Sequence, residues 1–188
     1  MRILIFNGSP RINGDTNLLI HEFIKYFKGQ VNVVNTYDDR IKGCIDCRWC
    51  WKHDGCAIKD EMQNLYHEIE KCDYILIASP VYFSELTGPL LTVFSRLQCY
   101  YAKRMFRHEI AIEKQKEGAV FLCAGGDGSP QKALETAKCL LHQMNAKFHC
   151  AVIAEKTNKV PVSENLQALQ AVRELAERWN RGLNKNEL

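Results

Sequence analysis

The chain has 188 residues, a hydrophobic content of 46% and a formal net charge of +3. That length suits a single domain spanning 1–188 with a sizeable core, and the near-neutral balance excludes the strongly basic surface of most nucleic-acid binders. No apolar run nears the ~20 residues of a membrane-spanning helix, so neither nucleic acid nor a membrane is expected as a partner.

The opening Met1-Arg2-Ile3-Leu4-Ile5-Phe6 runs directly into a turn, without the longer apolar region and small-residue cleavage site of a secretory leader. A reducing, cytoplasmic setting is therefore expected, in which the nine cysteines serve as thiols, ligands or redox groups and not as structural disulfides. Residues 2–6 form the first of five short apolar runs; the others are 31–36, 74–79, 119–123 and 148–154. Their unbroken apolarity predicts strands buried on both faces of a parallel sheet.

Helix-period segments separate them: 16–28, 60–71, 87–100, 129–145 and 163–183. In the second of these, Asp60 and Gln63 resemble a capping box. In the fourth, Ser129-Pro130 reads as an N-cap followed by proline at the first helical position. Five alternations of strand and helix predict an α/β, doubly wound fold with a five-stranded parallel sheet and helices on both faces. Two segments stand outside the alternation, the cysteine-rich 42–59 and the charged 101–116, and residues 184–188 are expected to fray.

Three loops follow strands at the sheet edge where ligands of such folds bind. The first, Asn7 to Thr16, is rich in Gly, Ser, Asn and Thr and leads into a helix. Free amides and the positive end of a helix dipole make that arrangement suited to phosphate. Ser9 and Thr16 supply hydroxyls there, and Arg11 can clamp with two parallel bonds. Neither the Gly-Lys-[Ser/Thr] triplet of a P-loop nor a G-x-G-x-x-G is present. The second loop, Pro80-Val81-Tyr82-Phe83, offers an apolar and aromatic surface for a flat heterocycle. The third, Gly125-Gly126-Asp127-Gly128, permits close backbone approach.

Together, Gly8-Ser9-Pro10-Arg11 with Asn13-Gly14 and Thr16, the Ser79-Pro80-Val81-Tyr82 segment and the glycine loop resemble the NAD(P)H-dependent FMN reductase family, including its iron–sulfur flavoprotein branch. The resemblance implies FMN bound by Ser9, Arg11, Asn13, Asp15, Thr16, Pro80, Val81, Tyr82, Phe83, Gly125, Gly126 and Asp127, with NAD(P)H as co-substrate. It implies a flavodoxin-like sheet in the strand order 2-1-3-4-5, with hydride transfer to flavin and onward transfer to a small-molecule or protein electron acceptor. No catalytic acid or base is assigned, since the chemistry belongs to the cofactor. Asp15 stands where the family usually has Asn, so its carboxylate either turns away from a phosphate or serves the helix cap. The resemblance also implies a homodimer or dimer of dimers built on the helix after Gly88 through Leu90, Leu91, Val93 and Phe94.

Cys44, Cys47, Cys50 and Cys56 are spaced C-x2-C-x2-C-x5-C, which resembles the compact motif of the iron–sulfur flavoproteins and suits a [4Fe-4S] cluster better than zinc. The same loop also reads as a lid without a cluster, with Trp49 or Trp51 packed toward the flavin. A flavodoxin-like interaction module without flavin is the reading from another class. Cys72, Cys99, Cys123, Cys139 and Cys150 are expected to be small core residues, and His53 and His67 surface groups.

Overall fold

The computed structural model describes residues 1–182. Five strands, β1 (Arg2–Asn7), β2 (Gln30–Asn35), β3 (Tyr74–Pro80), β4 (Lys116–Ala124) and β5 (Ala146–Glu155), form one sheet in the order β2-β1-β3-β4-β5. All four pairings are parallel, as the expected order requires. The central strand β3 is buried along its whole length, which explains why its sequence shows no alternation.

Helices cover both faces. On one, α1 (Asp15–Tyr26) and α6 (Leu166–Arg181) pack together. Phe23 is at their centre, edge-on to Phe121 at 6.1 Å and to Trp179 at 5.7 Å. Trp179 is 1% exposed and its indole donates to Glu117 Oε2 at 2.9 Å. Burying a side chain of that size contributes roughly 1.5–3 kcal/mol, and the indole N–H is not left unpaired. On the other face lie α2 (Met62–Lys71), α3 (Gly88–Ser95), α4 (Gln98–Phe106) and α5 (Gln131–Gln143).

Several elements depart from expectation. Strands β4 and β5 begin earlier and end later than their apolar centres, because ladder bonding continues past the apolar run. The helix expected over 87–100 is two. Arg96 N bonds Val93 O and Leu97 N bonds Phe94 O, tight turns that redirect the chain. The second helix then runs to Phe106, burying Cys99, Tyr100 and Ala102, so part of the charged segment 101–116 is helical. The expected capping box closes on one side only: Asp60 Oδ1 accepts from the Met62 amide, while Gln63 turns its amide to the Cys56 and Ile58 carbonyls. Before α5, Ser129 Oγ accepts from the Gln131 amide, but Pro130 precedes the helix. A short 3-10 turn at Val162–Glu164 replaces the expected start of α6, and the expected end of that helix and the fraying tail lie outside the described residues.

Leu90, Val93 and Phe94 are 0%, 2% and 3% exposed, and Phe94 packs against Phe6 in a tilted pair with ring centroids 4.7 Å apart. They are core residues and cannot form a dimer face; of the four named, only Leu91 is partly exposed. Cys139 is exposed on α5, unlike Cys72, Cys99 and Cys123, which are buried, while Cys150 is half-buried.

One buried carboxylate ties α1 to α6. Glu22 is 6% exposed and accepts from Lys25 Nζ at 2.9 Å and Arg173 Nε at 2.5 Å. The Lys25 bond and the Arg173 bond and charge outweigh desolvation, holding Glu22 below its ordinary 4.5. Stability from this group is complete above pH 4.5 and is lost as pH falls through the lowered value. Glu22→Gln should cost about 1 kcal/mol at pH 7, a modest figure because both cations are partly solvated. Urea melts of parent and variant should converge as pH drops below 4; a gap constant from pH 7 to pH 3 would refute the linkage.

Candidate functional site at the carboxyl edge

Because the strands are parallel, the loops after β1, β3 and β4 meet at one edge. Thr87 is the joint between the first two. Its hydroxyl donates to Gly8 O at 2.9 Å and its amide to Ser79 Oγ at 3.3 Å. A Cβ at Gly8 would stand 2.9 Å from both Thr87 Oγ1 and Leu90 Cδ2, so only glycine lets the loops approach this closely. The Val81 amide bonds Cys123 O at 2.9 Å, tying the second loop to β4.

A network of asparagines shapes the first loop. Asn7 Nδ2 donates to Asn17 Oδ1 and to Asn35 Oδ1, both at 2.9 Å, and Asn7 Oδ1 accepts from the Ser9 amide. Asn17 in turn donates to Arg11 O at 2.6 Å. None of these side chains was singled out from sequence; a polar residue closing the apolar β1 run was the available signal. Ser9 Oγ accepts from the Arg11 amide. The loop delivers Gly14 as the N-cap of α1, with no side chain capping the helix. Among the described residues, the amides of Asp15, Thr16 and Asn17 have no acceptor. The Arg11 side chain folds back toward Gly14, whose Cβ position lies 3.4 Å from Arg11 Nε, and its guanidinium has no partner among the described residues.

Asp15 turns away from this opening. Its Oδ1 accepts from the Val162 amide at 2.9 Å, fastening α1 to the turn before α6, which resolves the like-charge problem that the residue posed. Thr16 is 2% exposed, with its hydroxyl against Cys123, whose thiol burial pushes up to about 12. Asn13 is exposed.

The second loop is a tight hairpin. Tyr82 and Glu85 exchange both backbone bonds, and Phe83 and Ser84 between them have φ of 52° and 62°. Such a turn favours Asn-Gly; holding Phe and Ser there costs on the order of 1–3 kcal/mol per residue. Glu85 anchors it to α5 through Thr136 Oγ1 at 3.0 Å and Lys132 at 3.7 Å. Phe83 is 102% exposed and Tyr82 45%, while Pro80 is buried and Val81 half-buried. Tyr37, just after β2, lies beside Tyr82 and Thr87, and burial raises its phenol; it too went unnoticed in the sequence. In the third loop, Gly125 meets Asn158, 2.6 Å from a would-be Cβ, whereas Gly126 and Asp127 are exposed.

The cysteine loop leaves β2 and returns to α2 at the same edge. Cys44, Cys47, Cys50 and Cys56 line one pocket together with Arg96 and Cys99. Burial raises the Cys50 thiol, and the neighbouring Cys56, Cys44 and Cys47 raise it further. Among the described residues, no three His, Cys, Asp or Glu side chains stand close enough to share one ion. Gly55, with φ of 71°, turns the chain back to Cys56, and Asp46 and Arg48 flank Cys47 at φ of 49° and 58°. Asp46 occupies a left-handed position that glycine would favour and that Asp tolerates.

Two arginines hold this loop. Arg96 Nη1 donates to Lys42 O at 2.8 Å and Asp60 Oδ2 at 2.7 Å, and Nη2 to Ile58 O at 3.2 Å. Arg107 donates to the carbonyls of Cys50 and His53 and to Asp54. Burial pushes Asp60 up, but the Arg96 bond, the Lys42 amide and the Arg96 charge bring it below its ordinary value. Trp49 stacks on His53 at 3.8 Å and Trp51 on Phe106 at 4.0 Å.

Residues 1–158 match the family model described as NADPH-dependent FMN reductase. An iron-sulfur flavoprotein of Methanocaldococcus jannaschii is 28% identical over 144 residues, 72% of this chain and 68% of that protein. An iron-sulfur flavoprotein of Methanosarcina thermophila is 23% identical over 188 residues, 95% and 93% of the two chains. Among solved structures, an FMN-dependent NADH-azoreductase of Bacillus anthracis in complex with FMN superposes with a TM-score of 0.63 at 16% identity, covering 95% of this chain and 98% of that one. With a family match spanning most of its length and a sheet of the expected order, the chain belongs to the NADPH-dependent FMN reductase family of flavodoxin-like oxidoreductases.

Proposed function

We propose that this chain binds FMN at the β1, β3 and β4 loops and transfers reducing equivalents from NAD(P)H to a small-molecule or protein acceptor. The observation that carries the reading is the first turn of α1: three amides without acceptors, at the positive end of the helix, with an unpaired Arg11 folded over them. A phosphate dianion fits that donor set. Arg11 and the Thr16 amide hold the phosphate, Ser9 and Asn13 border it, and Asp15 stays on its own bond to Val162. Tyr82 and Phe83 present exposed rings to the flavin or to the nicotinamide. Val81 and the Gly125-Gly126-Asp127 backbone face the ring's polar edge. FMN held there would supply hydride acceptance from a nicotinamide and onward electron transfer to the acceptor. The protein orients the ring, supplies hydrogen bonds and shields it from water. The reading includes a homodimer or dimer of dimers whose face excludes Leu90, Val93 and Phe94.

A second reading concerns the exit of electrons, and the pocket at the cysteine loop favours it. The lid reading needs Trp49 or Trp51 packed toward the flavin loops, yet their stacking partners are His53 and Phe106. The four cysteines instead line one pocket together, although among the described residues no three of them stand close enough to share one ion. Tetrahedral zinc brings sulfurs within roughly 4 Å of each other at Zn–S bonds of about 2.3 Å; a multi-atom centre tolerates wider ligands. On this reading we propose Cys44, Cys47, Cys50 and Cys56 as the ligands of a [4Fe-4S] cluster, which would supply single-electron exchange when bound.

Arg11→Ala should weaken FMN by about tenfold to a hundredfold, the worth of a charge-assisted bond of about 1.5–3 kcal/mol, and leave riboflavin binding unchanged. Flavin fluorescence titrations measure both, and equal FMN affinity in parent and variant would refute the phosphate site. Asp15→Asn should leave FMN affinity within about twofold and lower stability by about 0.5–1 kcal/mol, as the Val162 amide exchanges a charged acceptor for a neutral one; a gain in affinity of tenfold or more would show that the carboxylate faces the phosphate. For the second reading, protein purified without air should carry near-stoichiometric iron and sulfide, lost in Cys47→Ser with FMN retained. Iron-free protein that still oxidises NAD(P)H with added FMN would restore the lid.

A further inference from the structure

Arg96 is among the largest side chains that the fold buries completely, at 1% exposed. Two of its nitrogens are satisfied by Lys42 O, Asp60 Oδ2 and Ile58 O, all on the two ends of the cysteine loop. Its third is not. Among the described residues, Arg96 Nε is the one buried side-chain nitrogen or oxygen without a hydrogen-bond partner. Buried N–H groups are paired in the great majority of proteins, and an orphan marks a place where an acceptor belongs. Arg96 lines the same pocket as Cys44, Cys47, Cys50 and Cys56, beside Asp46 and Gln98, and Cys56 is near enough to act on its charge, so sulfur is among the acceptors within its surroundings.

We propose that Arg96 Nε–H is a hydrogen-bond donor to a sulfur of the cluster on the cysteine loop and sets the cluster's reduction potential. The inference rests on the cluster reading above. The geometry suits the role because the guanidinium is already immobilised: the Asp60 pair and the two carbonyls fix its plane, leaving Nε–H no freedom to seek another partner. Reduction adds one electron whose charge spreads onto the sulfurs. A fixed donor stabilises the more negative state, so the contact raises the potential. The same side chain closes the loop at Lys42 and Ile58, so holding the ligands in place and tuning the centre fall to one residue.

The test is an EPR-monitored redox titration of anaerobically purified protein, parent against Arg96→Lys and Asp60→Asn. Lysine keeps the positive charge and can reach Asp60, but its donors all sit on one nitrogen, and with that nitrogen at Asp60 none is left at the position of Arg96 Nε. Asp60→Asn loosens the clamp and keeps Nε–H. Arg96→Lys should retain iron and FMN while its reduced-to-oxidised equilibrium shifts about tenfold toward the oxidised form, which is about 59 mV for one electron. Asp60→Asn should shift it much less. Equal shifts in both variants, or none in Arg96→Lys, would overturn the donor role while leaving the cluster reading intact. Parent protein without iron and sulfide would overturn both. Should Arg96→Lys not fold, parent protein carrying arginine labelled with 15N at Nε decides the matter. The reduced cluster should show a 15N coupling from one arginine, and its absence would reject the contact.

Discussion

Everything functional in this chain follows from the parallel direction of its strands. Five parallel strands place every strand-to-helix loop at one edge and every return at the other. The β1 loop, the strained aromatic hairpin, the glycine loop and the cysteine loop are far apart in sequence, yet they share that edge because β2, β1, β3 and β4 are neighbours in the sheet. The core exists to hold this register. A one-residue slip of β3 against β1 would move Ala78 O from the Gly8 amide and break the joint through Thr87.

Stability and function divide along recognisable lines at that edge. Where the chain needs rigidity it uses neutral, fully paired groups: the Asn7, Asn17 and Asn35 side chains satisfy one another and the loop backbone. Where it needs to meet a ligand it leaves donors unpaired or strains the backbone, as at the first turn of α1 and at Phe83-Ser84. The Arg96–Asp60 pair is a third case. Burying a guanidinium is expensive, and ion pairs of this kind often contribute little net stability against an apolar replacement. Retaining a nearly inaccessible arginine here makes sense if it serves the loop it clamps, since an apolar side chain of similar volume could fill the space but could not gather Lys42, Ile58 and Asp60 around one plane.

Much of this was legible in the residues themselves. The five strands came from continuous apolar runs alternating with helical stripes, their order from the family resemblance, and the three candidate loops from the composition of the segments that follow β1, β3 and β4. The carboxylate of Asp15 posed a conflict on paper that only tertiary structure resolves, because its partner Val162 is 147 residues away. The break between α3 and α4 was invisible for a related reason. Leu90, Val93, Phe94, Leu97 and Tyr100 keep an apolar stripe through the break, so the pattern reads as one helix, while at the turn Arg96 bonds acceptors on a distant loop. The same stripe misdirected the dimer assignment: an apolar helix face signals burial, not what buries it, and here the sheet does. Arg96 itself looked like one charge among many, since no local pattern distinguishes an arginine that will be buried.

Helix α3 connects the two proposed redox sites in a way that the separate loops do not suggest. Its N-terminal side begins at Thr87, bonded to Gly8 in the β1 loop. Its C-terminal side ends at Arg96, against the cysteine pocket. Eight residues of α-helix span only about 12 Å. Close to that end, Ser95 Oγ accepts from the Cys44 amide at 2.8 Å, so the first cysteine hangs from the same helix that Thr87 fixes to the β1 loop. Because Leu90, Val93 and Phe94 lock α3 into the core, the helix is a rigid strut whose two ends hold the two sites at a set separation. Rigid placement of this sort is what a protein can offer when the bound groups do the chemistry: it keeps the donor and acceptor near each other through each turnover without either site having to move.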